Sequence, residues 1–378
     1  MSEWKKVKLG EILQVKKGEY ITKKEAKEGI YPVILGGKVP AYYINKFNHT
    51  GKAIVISRSG ASAGYVSFWN EPIFVTDGFL IEPKDDVIFE FLYYILKSKQ
   101  RELHNTQKGA AIPHVTPALI GSIDGLLPDI STQHHIANIL FRYDSLIENY
   151  QKQIKLLEEA AQRLYKEWFV DLHFPGRENT KIVDGVPEGW EKKKIKDVVE
   201  LQSGYAFKSS TFEDGCPYKI VTIKNVKDGV FEGENVSTVR TVPEKMPNHC
   251  FLKDGDILLS LTGNVGRVCM VIGENYLLNQ RVAKLKSDYP AYTYSLFRSH
   301  EMFITICNLA NGAAQQNVSP IRIGDIDIVM ANDELMKKFE GIAGVYINEI
   351  IKHHHQILLL TEARDRLLPK LMSGEIKA

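Results

Sequence analysis

Two stretches of the sequence are copies of one another and decide the fold. Residues 109–169 have the sequence GAAIPHVTPALIGSIDGLLPDISTQHHIANILFRYDSLIENYQKQIKLLEEAAQRLYKEWF. Residues 312–372 have the sequence GAAQQNVSPIRIGDIDIVMANDELMKKFEGIAGVYINEIIKHHHQILLLTEARDRLLPKLM. Aligned without gaps at a shift of 312 − 109 = 203, they are identical at 20 of 61 positions. A chance similarity does not keep one register over that length, so the sequence predicts an internal repeat.

The repeat continues upstream of both copies, with gaps. The string WKKVKLGEIL from Trp4 resembles WEKKKIKDVV from Trp190, and Gly18 then falls opposite Gly204. The whole chain therefore consists of two similar units, each with a globular part followed by a long tail. The predicted order is a globular domain at 1–130, a long helix at 131–170, a linker at 171–189, a second globular domain at 190–331 and a second long helix at 332–378.

The globular parts have the patterns of mixed α/β domains. Apolar, β-branched runs bounded by glycine, asparagine and aspartate predict strands in both. Short helices are predicted at 87–104 and 292–309.

Both tails have the apolar spacing of a coiled-coil helix. In each tail, apolar or aromatic residues recur four and three residues apart over about four heptads. His353 and Arg364 interrupt the second stripe, and we expect them to set register rather than add stability. The seam residues are Ile136, Leu140, Tyr143, Ile147, Tyr150, Ile154, Leu157 and Leu164 in the first tail, and Phe339, Tyr346, Ile350, Ile357, Leu360 and Leu367 in the second.

Each tail predicts a helix of ~35 residues, or ~50 Å. Because similar units in one chain tend to be related by a pseudo-two-fold axis, the expected partner of each stripe is the other stripe in antiparallel orientation. The alternative is that each helix packs on its own globular part. The predicted fold class is α+β, with two similar mixed α/β domains joined by two long helices in an antiparallel coiled coil.

Several loops combine glycine with polar and basic residues that suit DNA binding. Arginine, asparagine and glutamine can bond base edges, lysine and serine can hold phosphates, and glycine allows close approach. For each residue, an ordinary polar turn between strands is the alternative. The candidates are Tyr20, Lys23, Lys24, Arg58, Ser59, Ser62, Lys108, His114, Tyr205, Lys208, Thr262, Asn264, Arg267, Gln315, Gln316 and Asn317.

Composition limits the other classes of function. The net charge is +2, so positive charge for DNA must be local or supplied by partners. The four cysteines form no CxxC pair and are expected to be free thiols. Because residues 353–355 are consecutive histidines on a helix, we expect no shared metal ion. The charged start and the lack of a run of ~18 apolar residues predict a cytoplasmic protein without a membrane partner.

No sequence motif for catalysis stands out. We find no GxxxxGK[ST] phosphate loop, no GxGxxG opening a helix, and no Asn-Pro-Pro-Tyr or Asp-Pro-Pro-Tyr segment of a base-flipping amino-methyltransferase. The spacing of His135 and His173 favours no catalytic group. The motifs therefore favour no enzyme, and three interpretations stay open: a non-enzymatic DNA-binding protein, a coiled-coil scaffold unrelated to DNA, and an enzyme separated from its catalytic half.

Three strings resemble a known family, the specificity (S) subunits of type I restriction–modification systems. LYKEWFVD at 164–171, followed by FPG at 174–176, is similar to the end of their central conserved helix. LLPKLMSGEI at 367–376 is similar to their C-terminal signature, and VPEGW at 186–190 to the entry of their second half. The resemblance covers essentially the whole chain, and the strings occur in the family's order.

The resemblance implies two target-recognition domains, each reading one half of a bipartite site in double-stranded DNA. The helices would space these domains and bind two methyltransferase (modification) subunits, which two restriction/translocase subunits join in complexes that cut DNA. The chemistry would reside in those partners, with their S-adenosylmethionine, ATP and Mg, and this chain would hold no cofactor. Recognition domains vary most within the family, so the resemblance assigns no base-contacting residue.

Overall fold

The computed structural model describes residues 4–22, 26–105, 114–234, 236–310 and 317–377. The chain divides into two compact units. Unit 1 consists of Met1–Ile147 and Leu359–Ala378, and unit 2 consists of Glu148–Leu358. Because both boundaries fall inside long helices, each of these helices contributes residues to both units.

Unit 1 holds the first globular part. Its strands are β1 (Lys5–Lys8), β2 (Leu13–Lys17), β3 (Glu28–Ile34), β4 (Tyr43–Ile44), β5 (Lys52–Ser57), β6 (Val66–Asn70), β7 (Phe74–Val75), β8 (Gly78–Pro83) and β9 (Asp124–Leu127). Its helices are α1 (Leu9–Ile12), α2 (Phe89–Ser98), α3 (Gln100–Asn105), α4 (Pro117–Ser122) and the first part of α5 (Ile130–Tyr165). The strands form an antiparallel sheet of order β2-β8-β5-β6, a smaller sheet of order β4-β3-β7, and the pair β1-β9.

Strand β5 explains why this sheet is covered on both faces. Side chains alternate between the two faces of a strand, and all of Ala53, Ile54, Val55 and Ile56 are buried. Ile54 and Ile56 belong to the main core of unit 1, with residues of α2 and α5. Ala53 and Val55 belong to a second core with residues of β3 and β7. The run of apolar residues is therefore a central strand between two layers.

Unit 2 repeats this arrangement. Its strands are β10 (Ile182–Val183), β11 (Val186–Pro187), β12 (Glu191–Lys194), β13 (Glu200–Ser203), β14 (Tyr218–Val221), β15 (Ser237–Val239), β16 (Phe251–Leu252), β17 (Ile257–Ser260), β18 (Val268–Met270), β19 (Tyr276–Leu278), β20 (Val282–Lys286) and β21 (Asp327–Met330). Its helices are α6 (Pro290–Arg298), α7 (His300–Ala310), α8 (Pro320–Gly324) and most of α9 (Asp333–Met372). The sheet orders β13-β20-β17-β18 and β15-β14-β19-β16 and the pair β12-β21 match unit 1, with β16 added. The predicted internal repeat and fold class are thus confirmed.

Each predicted short helix is in fact two helices, so this detail of the prediction was wrong. In unit 1, α2 and α3 meet at Lys99, whose backbone (φ −93°, ψ 9°) leaves the helical region. In unit 2, α6 ends at the extended residue Ser299, whose hydroxyl accepts a hydrogen bond from the Met302 N–H at 3.2 Å. A serine in this position starts a new helix rather than continuing the old one.

In unit 1, segments of the two long helices share one core. Ile136 and Leu140 of α5 are buried with Leu368 and Leu371 of α9. Arg364 of α9 donates to the carboxylate of Asp144 on α5, and Tyr94 of α2 donates to the same carboxylate at 2.6 Å. Arg364, which interrupts the predicted seam, is therefore held by a charged partner on the facing helix.

In unit 2, aromatic contacts give the direction of the helices. The rings of Tyr150 and His353 lie 4.9 Å apart. In the π-helix Lys166–Val170, which continues α5, Trp168 and Phe169 lie 5.8 and 5.0 Å from Phe339. Partner numbers fall along α9 as they rise along α5, so the two segments are antiparallel.

The predicted seam residues are buried to different degrees. Ile136, Leu140, Ile147, Phe339 and Ile350 are buried. The other predicted seam residues are partly buried, namely Tyr143, Tyr150, Ile154, Leu157, Leu164, Tyr346, Ile357, Leu360 and Leu367. Residues of the helix ends also enter the globular cores, as Trp168 and Phe339 do in unit 2. The helices thus pack both on each other and on the globular parts.

Candidate nucleic-acid interface

A polar edge lies at the carboxyl end of β5 in unit 1. The N–H of Arg58 donates to the carbonyl of Asp77 at 3.2 Å, and the N–H of Val115 donates to the carbonyl of Arg58 at 2.9 Å. Ser59 and His114 form an antiparallel bridge. Three segments that are far apart in sequence therefore meet here, at the end of the central strand.

Unit 2 has the same edge at the end of β17. The N–H of Leu261 donates to the carbonyl of Arg281 at 3.0 Å, and the N–H of Val318 donates to the carbonyl of Leu261 at 3.0 Å. Thr262 and Asn317 form the antiparallel bridge. These hydrogen bonds make Arg58 equivalent to Leu261, Asp77 to Arg281, and His114 to Asn317.

The side chains of the unit 1 edge largely bind one another. The Ser59 hydroxyl donates to the Asp77 carboxylate. Arg58 Nη1 lies 3.9 Å from the same carboxylate, and Arg58 Nε lies 3.5 Å from His114 Nε2. The charge of Arg58 is thus balanced by Asp77, and the edge offers carboxylate and imidazole atoms as well as guanidinium donors.

The unit 2 edge has a different chemistry. The Thr262 hydroxyl donates to the side-chain oxygen of Asn317 at 2.9 Å. Gln280 and Arg281 are exposed, and no ion pair between described residues involves Arg281. The edge therefore presents an amide and a guanidinium, which are the groups that pair with adenine and guanine edges.

Two other predicted residues of this loop have structural partners. Arg267 lies 4.7 Å over the ring of Phe303, and its Nη1 is 3.7 Å from Asp228. The backbone carbonyl of Asn264 accepts from the Ser260 hydroxyl. Arg267 is consequently a weaker candidate for base contact than Arg281, which the sequence analysis did not identify.

The paired glycines are required by close backbone packing. A Cβ on Gly18 would lie 2.6 Å from the Val75 carbonyl oxygen, and one on Gly204 would lie 2.2 Å from the Asn279 carbonyl oxygen. Gly18 and Gly204 thus place the following residues beside the polar edges. Of these residues, Tyr20 is 85% exposed.

Some of the remaining predicted DNA contacts lie within the residues that the structure describes, and others lie outside them. Tyr205 is partly buried and forms a parallel bridge with Asn279, whereas Lys208 is exposed. Ser62 lies in the loop after β5 and is partly buried. The predicted contacts Lys23, Lys24, Lys108, Gln315 and Gln316 lie outside the described residues.

The edges also contain residues that sequence reasoning missed, namely Asp77, Gln280 and Arg281. The Leu278 carbonyl accepts from the Tyr205 N–H in unit 2, as the Val75 carbonyl accepts from the Glu19 N–H in unit 1. The chain from Leu278 to the start of β20 is one residue longer than the chain from Val75 to the start of β8. This extra residue breaks the shift of 203, so a comparison of the copies at constant shift does not pair Asp77 with Arg281.

Two of the three consecutive histidines, His353 and His355, contact separate neighbours. His355 Nε2 lies 2.8 Å from Asp254, and the ring of His353 packs on Tyr150. Burial lowers the pKa of His354. Elsewhere in unit 2, ligand atoms of Glu167, Asp171 and His173 lie within 4.8 Å of one another.

That second group is an exposed ion-pair cluster. Lys166 donates to the Asp171 carboxylate, and the His173 side chain is 70% exposed. The described cysteines are free thiols. Among the residues that the structure describes, no helix is long and apolar enough to cross a membrane.

Comparison with known proteins gives one consistent family. The family described as type I restriction modification DNA specificity domain matches residues 1–159 and 187–330. The specificity subunit of the type I restriction enzyme MjaVIII from Methanocaldococcus jannaschii is 32% identical, over 99% of this chain and 93% of the relative. The MjaIX specificity subunit of the same organism is 27% identical, over 86% of this chain and 78% of the relative.

A solved structure has the same fold. The crystal structure of a type I restriction-modification S subunit from M. genitalium superposes with a TM-score of 0.62 at 18% identity. The match covers 98% of this chain and 96% of the other. The likeness therefore extends to both globular parts and both long helices.

Proposed function

Because this chain belongs to the family of type I restriction modification DNA specificity proteins, we propose that it selects the DNA sequence on which a type I restriction enzyme acts. Each unit binds one half of a bipartite site in double-stranded DNA. The chain itself is not catalytic.

The repeated polar edge is the observation that carries this proposal. Each segment matched by the specificity family contains one edge, with the bridge Ser59–His114 in unit 1 and Thr262–Asn317 in unit 2. The backbone around both bridges is the same, whereas the side chains differ. Equal scaffolds with different polar groups suit two half-sites of different sequence.

The long helices are proposed to set the number of base pairs between the half-sites. Helix α5 has 36 residues and α9 has 40, and both contribute to both units. A helix has a fixed rise of ~1.5 Å per residue, which makes the length of the helices a ruler for the spacer.

The same helices are proposed to bind two methyltransferase subunits. Leu156 of α5 and Leu359 of α9 are equivalent in the repeat and are 64% and 60% exposed. Exposed apolar residues in matching positions suit two copies of one partner. Leu156→Asp and Leu359→Asp, each compared with a serine substitution of exposed Glu159, should reduce co-purification of the methyltransferase while the fold persists.

Catalysis is assigned to these partners. The methyltransferase subunits supply S-adenosylmethionine chemistry on adenine, and two restriction/translocase subunits, where present, supply ATP- and Mg-dependent translocation and cleavage. The assembly acts in the cytoplasm on cellular DNA.

A methylome tests the proposal. The chain is expressed with its neighbouring methyltransferase in a host that lacks adenine methylation, and modified adenines are mapped by single-molecule sequencing. We expect a new split motif with a fixed gap, present only when this chain is present. A stable complex without new methylation would contradict the proposal, and failure to form any complex would favour a scaffold unrelated to DNA.

A further inference from the structure

A cavity of 510 Å³ in unit 1 has a basic and polar lining. It lies beside the loop that follows β5, three residues beyond Ser59 of the polar edge. Its lining consists of Lys38, Ala61, Ser62, Tyr65, Gln100, Arg101, His104 and Asn105. Two cations and an imidazole are therefore present, and none of the described lining residues is a carboxylate.

The wall of this cavity is held in place by hydrogen bonds. Gln100 at the start of α3 donates to the Gly64 carbonyl at 2.7 Å and accepts from the Val66 N–H at 2.9 Å. His104 Nδ1 lies 3.3 Å from the Ala63 carbonyl. Helix α3 is thus fixed to the loop, so Arg101 is carried on a rigid element rather than on a free end.

The surroundings add positive charge. Lys38 and Lys97 lie 5.7 and 4.7 Å over the ring of Tyr65. No ion pair between described residues involves Lys38, Lys97 or Arg101. The pKa of Lys97 is lowered by burial and by the nearby charge of Arg364. An anion placed here would meet Lys38 and Arg101, which have no ion-pair partner among the described residues.

In unit 2, different side chains occupy the positions that align with this lining. Arg267 corresponds to Tyr65, because the N–H of Ser260 donates to the Arg267 carbonyl as the N–H of Ser57 donates to the Tyr65 carbonyl. Arg267 packs on Phe303, which aligns in sequence with Gln100 at a shift of 203. At a shift of 203, Ile304 and Cys307 align in sequence with Arg101 and His104. The basic cavity is therefore a property of unit 1 that the repeat does not require.

We propose that this cavity binds a phosphate group of the DNA backbone within the half-site contacted by unit 1. Lys38 and Arg101 supply the charge, and Ser62 supplies a hydroxyl donor. The inference rests on the proposed function, because it uses the adjacent polar edge as the base-contacting surface. Phosphate contacts fix the register of a protein on the duplex without specifying bases.

The test compares the wild type with Arg101→Ala on DNA in which single backbone phosphates are replaced by an uncharged group. Binding of the full chain, in complex with its methyltransferase, is measured on duplexes that carry the methylated motif and a methylphosphonate at one backbone position at a time. We expect one position in the unit 1 half-site to weaken wild-type binding but not binding by Arg101→Ala. The variant should methylate the same motif, with a salt slope smaller by ~1.

Two further variants control for charge and folding. Lys8→Ala removes an equal charge from β1, where Lys8 pairs with Asp124 at 2.7 Å, and should keep the sensitivity to that methylphosphonate. Arg101→Lys restores a cation and should recover the salt slope. If Arg101→Ala stays as sensitive as the wild type at every position, the cavity does not hold a backbone phosphate.

A soluble phosphate is the other source of the same chemistry. Calorimetry with inorganic phosphate in the absence of DNA distinguishes it. Submillimolar binding that depends on Arg101, together with no position-specific effect of methylphosphonate, would overturn the DNA assignment. Wild-type protein that neither binds nor methylates a specific site would instead reject the proposed function itself.

Discussion

At the scale of single residues, the two polar edges differ most where Asp77 of unit 1 is replaced by Arg281 in unit 2. Both backbone carbonyls accept the same hydrogen bond. Asp77 is bound by Ser59 and lies near Arg58, whereas Arg281 is exposed. A carboxylate accepts from cytosine, and a guanidinium donates to guanine. This position can therefore give the two half-sites different sequences.

We predict that Arg281→Ala relaxes one base pair of the half-site contacted by unit 2 and leaves the other half-site unchanged. The discrimination lost should be about 1–3 kcal/mol, the usual value of one bidentate base contact. The measurement is the methylome of the variant. Arg240→Ala is the matched control, because Arg240 is paired with Glu213 in the same unit. An unaltered motif in Arg281→Ala would exclude this residue from base recognition.

A second residue-scale prediction concerns the buried group of Arg364, Asp144 and Tyr94. We expect Arg364→Ala to destabilise unit 1 by about 2–3 kcal/mol, since it leaves a partly buried carboxylate without its cation. Hydrogen exchange of α5 peptides in unit 1 measures the loss. The control is Arg366→Ala, because Arg366 is exposed and pairs with Glu362 on its own helix. Equal effects of the two substitutions would show that Arg364 serves register alone, as the sequence analysis expected.

At the scale of elements, the heptad spacing of the tails correctly indicated two long helices, α5 and α9. The antiparallel contacts in unit 2, between Tyr150 and His353 and between Trp168 and Phe339, agree with the expected pairing. The breaks at Lys99 and Ser299 could not be predicted, because the apolar pattern continues through them and only the backbone geometry ends the helix. Local hydrogen bonds decide such breaks, and hydrophobic spacing does not record them.

We predict that one heptad inserted in both helices, after Gln151 and after Lys352, lengthens the spacer between half-sites by about three base pairs. Seven residues add ~10.5 Å to a helix, and one base pair occupies ~3.4 Å. The split motif in the methylome gives the result directly. A heptad inserted in α5 alone should abolish specific methylation, because it destroys the pairing of the stripes. An unchanged gap after the double insertion would refute the proposal that the length of the helices sets the spacer.

At the scale of the whole molecule, the internal repeat predicted two equivalent halves, and the sheet orders of the two units confirm this. The loops after β5 and β17 were recognised as polar from sequence. Asp77 and Arg281, which lie beside these loops, were not recognised from sequence. The reason is that they reach the polar edges through backbone contacts between segments that are distant in sequence. One additional residue in unit 2 also hides their equivalence. The chemistry of the loop residues thus indicated where the polar edges lie. The fold was needed to identify all the residues that form them.

We predict that replacing 1–130 with the corresponding domain of another family member changes one half of the recognised motif only. The reason is that each polar edge is built entirely from residues of its own unit. The methylome of the chimera is the measurement. Replacing 190–331 is the reciprocal control and should change the opposite half. If either exchange altered both halves, the two units would not recognise DNA independently.

Unit 1 is formed from two separate stretches of the chain, and this has a consequence for protein synthesis. Leu368, Leu371 and Met372 are buried in the core of unit 1 with Ile136. At ~5–20 residues per second, a ribosome needs roughly ten to forty-five seconds to extend the chain from residue 147 to residue 372. During that time the apolar surface that α9 later covers is exposed on the nascent chain and is a target for chaperones. The part of the protein that emerges first is therefore the last to reach its final stability, and a stop codon within α9 would destabilise the amino-terminal half.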